Sequence, residues 1–311
     1  MAQFIARRLI MLIPVMIGVV FCTFLIAQVT PGDPAALALG PMATAEQIAQ
    51  LRDRLGLNDP FFTQFFHYLG RVARGDLGLS IRGQTPVMEE ILMRLPSTVE
   101  LTALAMLFAI VMGVGAGLVA AITRSRAIDG AVMVTALVGL SVPNFWLAIM
   151  LISIFGVWLG WVSVIGGEGI RNLILPAFSL ALAPGAVLAR LTRSSMKEVV
   201  REDYVRTARA KGLSRRRVVN VHVLKNSMIP VVTVIGLQTA AMLGGAVFIE
   251  SVFARPGLGR FAVNAISSRD FPQIQGVVLF LALVYSLVNL LVDVLYAVLD
   301  PRIGYQSKEV S

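Results

Sequence analysis

The sequence predicts an all-α, polytopic membrane protein with six transmembrane helices. Three observations lead there. Hydrophobic residues make up 57% of the 311 positions and charged residues 14%, with a mean hydropathy of +0.79, which is outside the range of ordinary soluble domains. Six stretches reach the roughly 20 apolar residues that a spanning helix needs, at about 9–29, 98–122, 131–156, 172–193, 229–251 and 274–299. Lys and Arg lie mainly between these stretches, so orientation in the bilayer accounts for the net charge of +9 better than nucleic-acid binding does.

The first stretch, "MAQFIARRLIMLIPVMIGVVFCTFLIAQVT", sets Arg7 and Arg8 before an apolar run. The run is longer than the about 7 to 15 residues of a signal-peptide core, so it reads as an uncleaved anchor. The arginine pair alone is weak evidence for a twin-arginine export signal. Residues 31–97 then form an external helical segment. "PGDP" at Pro31 to Pro34 is a turn closing the first span. Thr44 and Gln47 read as a capping box, Ile48, Leu51 and Leu55 share one face, and Gly56 is placed to end the helix. "PFFTQFFHYLGRVARG" opens with a proline suited to a first turn and sets Phe61, Phe62, Phe65, Phe66 and Leu69 at helical spacing. This helix pair either packs over the outer mouth or lies in the membrane interface; contact with a partner and a simple sealing role fit it equally.

In the second span Gly113, Gly115 and Gly117 lack the following lysine of a phosphate loop, and helix packing by small residues is the better account. No GxxxxGK[ST] occurs, so this chain does not bind ATP by that route. Pro143 and Pro184 remove backbone donors from the third and fourth spans and should kink or break them unless neighbouring helices compensate. Lone Cys22 allows no intrachain disulfide and no cysteine metal cluster, and His67 and His222 lie too far apart to suggest a metal site. No Ser, His and Asp set and no mid-span carboxylate pair offers hydrolase chemistry, so no catalytic residue is assigned.

The termini and the loops at 123–130 and 190–228 carry the excess of Lys and Arg, which predicts that both termini face the cytoplasm. Glu100, Arg190, Arg193 and Glu250 fall near span ends. Asp293 lies deeper, and proton-coupled secondary transport would rest on it; the competing reading is a helix-end carboxylate reaching water or an arginine. Asn144, Gln238 and Asn289 either line a translocation path or hydrogen-bond between helices.

The densest positive run, "DYVRTARAKGLSRRR" from Asp203 to Arg217, sits between the fourth and fifth spans. Ser195 with Glu198 reads as a capping box, and Met196, Val199, Val200, Tyr204 and Ala208 form one apolar face. Lys197, Arg201, Arg206 and Arg209 crowd the rest. Gly212 stops the helix and Ser214 can cap a second one. The result is a helix, turn and helix with small residues at its corner, where another protein's backbone can approach. On pattern alone, contact with anionic lipid or a purely topological role for the arginines comes first.

"DYVRTARAKGLSRRRVVNVHVLKNSMIPVV" resembles the cytoplasmic coupling loop of ABC importer permeases of the dipeptide, oligopeptide and nickel group. "PGDP", "RLGLNDPFF", "GDLGLS", "RLPSTVEL", "SVPNFW", "LPAFSLALAPGAVLARLTRSSM", "DFPQIQG" and "LVDVLYAVLDPRI" resemble that group in the same order, nearly end to end. The strings are individually weak; their order and spacing are specific. The resemblance implies a type I ABC importer transmembrane fold in the bacterial inner membrane. It also implies a homologous second permease, two ATPase subunits that hydrolyse ATP, and a soluble solute-binding protein. The imported solute would be a peptide or similar small molecule. The family's loop pattern is Glu-Ala-Ala, three residues, then Gly; here Arg206 and Thr207 take the first two positions, so the acidic role does not carry over. The implied ATPase contacts are Tyr204, Thr207, Ala208, Gly212 and Leu213, on a loop spanning 194–228.

Overall fold

The computed structural model describes residues 2–30, 32–40, 42–54, 56–162 and 169–299. In chain order the helices are α1 (Ala2–Val29), α2 (Pro34–Leu39), α3 (Ala45–Arg54), α4 (Phe61–Ala73), α5 (Val87–Ile122), α6 (Arg126–Ser141) and α7 (Asn144–Leu151), which continues as a π-helix, Ile152–Trp158. Then come α8 (Arg171–Val199), α9 (Asp203–Ala210), α10 (Arg215–Arg217), a second π-helical stretch Val218–Val223, α11 (Leu224–Val252), α12 (Leu258–Ser268) and α13 (Phe271–Leu299). The described residues contain no strand, only an isolated bridge between Leu79 and Pro86. Pro31, Leu55 and the carboxy-terminal tail from Asp300 lie outside the described residues.

Among the described residues, five segments are long and apolar enough to cross a bilayer: Ile5–Val29, Val87–Ile122, Arg171–Val199, Arg215–Val252 and Phe271–Val294. The expected third span is not one straight helix. Arg126–Ser141 and Asn144–Trp158 are bent by 98° at the break between them, and they complete a set of six when counted as one broken span. The cause is local. Val142 still donates to Val138 O at 3.1 Å, but Pro143 has no N–H to return to Gly139, so the ladder stops and restarts with Leu147 donating to Pro143 O. At Pro184 the compensated alternative applies: α8 runs unbroken through both Pro176 and Pro184. Both prolines are buried there against packed neighbours, the setting in which a spanning helix tolerates the missing donor.

The chain divides into two compact units, one of residues 2–97 and 256–287, the other of residues 98–255 with the chain from Val288 onward. In the first unit Phe24 of α1 meets Phe61 and Phe65 of α4 edge-on, at 5.3 and 5.7 Å, and stacks on Tyr68 at 5.8 Å. Burial pushes the Tyr68 hydroxyl well above the usual tyrosine range, with the Arg71 charge acting against it. Val87, Ile91, Leu258, Phe261 and Val277 complete this core. The capping box forms as expected: Thr44 N donates to Gln47 Oε1 at 2.9 Å and Gln47 N to Thr44 Oγ1 at 3.3 Å. Gly56 ends α3 with a left-handed φ of +65°. Asp270 ties the loop before α5 to the start of α13: it accepts from Ser80 Oγ at 2.6 Å and from Gln273 N at 3.3 Å, and Asp270 and Ser80 are both buried.

The second unit is built on α5 and α8. A Cβ on Gly113 would stand 2.3 Å from Gly185 O, and one on Gly117 2.5 Å from Ala189 O. The two backbones are therefore in direct contact along one face of α5, the close approach that small residues permit. Leu101, Ala105, Leu180, Leu188, Met242 and Ile249 pack around this seam. The outward faces of the spans stay apolar: Met11, Ile13, Leu107, Val111, Val134 and Leu137 are all exposed, which fits lipid rather than water.

Gly113→Ala and Gly117→Ala should each lower stability by about 1–3 kcal/mol, because the added methyl overpacks a backbone contact. The measurement is the thermal unfolding midpoint of the detergent-solubilised protein. Gly115→Ala, whose added methyl meets nothing within 4 Å, should leave the midpoint unchanged or slightly raised. Equal losses at all three glycines would contradict the α5–α8 seam.

Candidate functional site: the basic helical loop

The basic loop begins inside α8, not at a new helix. Ser195 is not an N-cap; it lies within α8, and its hydroxyl donates to Ser227 O at 2.9 Å. The chain turns at 200–202, where Arg201 N bonds Glu198 O and Glu202 N bonds Val199 O. This turn resets the helical phase, so the apolar face does not continue from Val200 to Tyr204. Val205 and Ala208 are the buried residues of α9, while Tyr204 is 41% exposed.

α9 carries Asp203 in its first turn and Arg209 in its last, both favourable to the helix dipole. Gly212 follows with φ +76°, a left-handed backbone, and open space where a Cβ would stand. Leu213 N donates back to Ala208 O. Ser214 stands at the start of α10 as expected, though its side chain makes no capping bond.

The loop has a core of its own. Met196, Val205, Ala208, Val218 and Val223 are buried together, with Leu118 and Ala121 from the end of α5 and Leu213 packed against them. Polar ties reinforce it. Arg215 Nη2 donates to Ile122 O at 2.7 Å, filling an end carbonyl of α5. Asn226 Nδ2 donates to Tyr204 Oη at 2.8 Å. At the loop's stem, Asp129 in the first turn of α6 accepts from Arg193 Nε and from Arg193 Nη2 at 2.7 Å, and from Lys197 Nζ at 2.8 Å. Beside this cluster lies an open hollow of about 530 Å³ lined by Arg193, Lys197, Arg201 and Asp203.

The five expected contact residues therefore divide into two groups. Tyr204, Thr207 and Gly212 face outward; Ala208 and Leu213 turn into the loop's own core. Asn144, Gln238 and Asn289 are each half-buried, on α7, α11 and α13. α11 and α13 meet where a Cβ on Gly236 would stand 2.3 Å from Val292 Cγ2, and Gln238 and Asn289 flank that crossing in sequence. Asp293 is half-buried on α13. Glu250 is fully buried and accepts from Thr98 Oγ1 at 2.6 Å. Sequence reasoning did not single out Asp129. Its signal was present in Arg193 and Lys197, two cations four residues apart on one helix face that need an anion between them. Among the described residues no group of three or more His, Cys, Asp or Glu is placed to hold a metal ion.

Residues 113–305 match the family described as binding-protein-dependent transport system inner membrane component, and residues 1–102 match the amino-terminal region of the same systems. A dipeptide transport system permease protein of Alkalihalophilus pseudofirmus is 45% identical over 98% of this chain and 100% of its own length. A glutathione transport system permease protein of Escherichia coli strain K12 is 44% identical with the same coverage. In fold, a methionine ABC transporter solved in inward-facing conformations is similar at a TM-score of 0.59 and 18% identity, over 68% of this chain and 97% of that one. An amino acid ABC transporter is similar at 0.53 and 19% identity, over 69% and 94%. With 98% of its length matched in this way, the chain belongs to the inner-membrane permease family of binding-protein-dependent ABC importers.

Proposed function

We propose that the basic loop is the element through which a separate ATPase subunit drives this permease, and that the chain is half of a pore completed by a homologous second permease. Two ATPase subunits hydrolyse ATP; this chain binds no cofactor. A solute-binding protein delivers substrate from outside, and the external segment at 31–97 faces that side. Both termini and the loop at 194–228 are cytoplasmic. The substrate is a short peptide with charged ends, the chemistry shared by dipeptides and glutathione, which the names of the two relatives supply. Asn144, Gln238 and Asn289 line its path.

One observation carries the docking reading. α9 presents Tyr204 and Thr207 outward, with the bare backbone of Gly212 just beyond its end, while its other face is anchored in a core shared with α5 and α11. A small outer corner lets a partner approach closely, and an anchored inner face passes its displacement to the spans. A loop that served only topology would need charge and no such core.

Gly212→Val and Thr207→Trp test this. Valine at φ +76° resists the left-handed backbone by about 1–2 kcal/mol, and tryptophan adds bulk to the outer face without entering the core. Both should reduce co-purification of the ATPase subunits by about tenfold or more and abolish substrate-stimulated ATP hydrolysis in proteoliposomes, with pairing to the second permease unchanged. Arg216→Glu, beyond the corner and exposed, is the control that keeps the ATPase. Ala208→Glu is a poor test, since it would place a charge in the loop's own core. Retention of the ATPase and its stimulation in both variants would end the docking reading.

Orientation is tested separately. A reporter active only in the cytoplasm should be active when fused after Ser311 and silent when inserted at Asn58. The reverse pattern would put the basic loop outside, beyond reach of any ATPase.

A further inference from the structure

The three-residue cluster at the stem of the loop joins two elements far apart in sequence. Asp129 sits in the first turn of α6, behind the N-cap Ser125, where a carboxylate also suits the helix dipole. Arg193 and Lys197 lie one turn apart near the end of α8. Arg193 grips both oxygens of Asp129 in a fork, and Lys197 closes on Oδ2. The Asp129 and Arg193 side chains are only 21% and 28% exposed, so water screens the pair less than it would at an open surface. The carboxylate does two jobs: it holds α6 to α8, and it separates two cations that would otherwise repel across one helical turn.

The location gives the cluster its consequence. α6 leads directly into the 98° bend at Val142–Pro143 and so into α7. α8 leads directly into α9. We infer that Asp129 is a positioning residue that makes the first turn of α6 and the last turns of α8 move as one body, delivering the loop's displacement to the bent α6–α7 segment. This rests on the reading that an ATPase drives the loop.

The test uses the full complex in proteoliposomes, in a Cys22→Ser background, with nitroxides on Ile128→Cys and Glu198→Cys, both exposed positions flanking the cluster. Dipolar broadening of the spectra reports their spacing. The spacing should be the same with and without ATP in the otherwise unaltered chain. Asp129→Asn should weaken the broadening and lower the amount of labelled dipeptide or labelled glutathione moved per ATP hydrolysed by about tenfold. Asp129→Asn combined with Lys197→Gln removes the repulsion between the two cations and should recover part of both signals. A purely structural role would change protein yield and leave the ratio of transport to hydrolysis as it was. An ATP-dependent change of spacing in the unaltered chain, or an unaltered ratio in Asp129→Asn, would overturn the inference. Failure of the ATPase to co-purify with the unaltered chain would instead overturn the docking reading, and this inference with it.

Discussion

A peptide group that enters hydrocarbon must find its hydrogen-bond partner inside the protein, because no water is there to replace it. Everything else in this chain is arranged around that constraint. It leaves the helix as the available spanning element, and it makes each departure from helical hydrogen bonding costly enough to need a reason. α8 carries two prolines and still runs as one helix, with both buried among neighbours. The third apolar stretch carries one proline in "SVPNF" and breaks there by 98°. Neither the residue nor its exposure decides the outcome alone: Pro14, Pro96 and Pro230 are exposed and still lie inside the unbroken helices α1, α5 and α11.

The same constraint explains why α5 and α8 meet through bare backbone. In lipid, water expulsion gives helices little reason to associate, so contact area and close approach must supply the attraction. Gly113 and Gly117 lie on one face of α5, and Gly185 O and Ala189 O lie opposite them. Gly115, between them in sequence, points elsewhere and meets nothing. Adding volume on this seam would push the helices apart, so the seam is stiff. Leu118 and Ala121 of α5 also pack on the core of the basic loop, so the seam and the loop share one helix.

How much of this could be read from the sequence depends on distance along the chain. The Thr44 and Gln47 capping box, the left-handed Gly56 and Gly212, and the apolar lengths were legible because each is decided within a few residues. The Ser195 and Glu198 pair misled because the same spacing occurs inside a longer helix, and nothing local says that α8 continues through it. The apolar phase failed at Tyr204 because the turn at 200–202 interrupts the helical count, leaving Val205 inside. Asp129 and Arg193 are 64 residues apart, and no local rule joins them. The composition of the loop was legible; which of its faces turns inward was not.

What remains is where such a unit can yield. The α5–α8 seam, the loop's core and the charge cluster at Asp129 are all tightly satisfied contacts. Within the described spans of the same unit, regular i to i−4 bonding is interrupted at the break at Val142–Pro143 and in the π-helical stretches Ile152–Trp158 and Val218–Val223. A π-helical turn lengthens the bonded ring, and such turns recur at functional positions in helices. One stretch follows the bend, and the other lies between the basic loop and α11. The close packing of this unit therefore lies along α5 and α8, and its irregular backbone lies next to α7 and α11, the helices that carry Asn144 and Gln238.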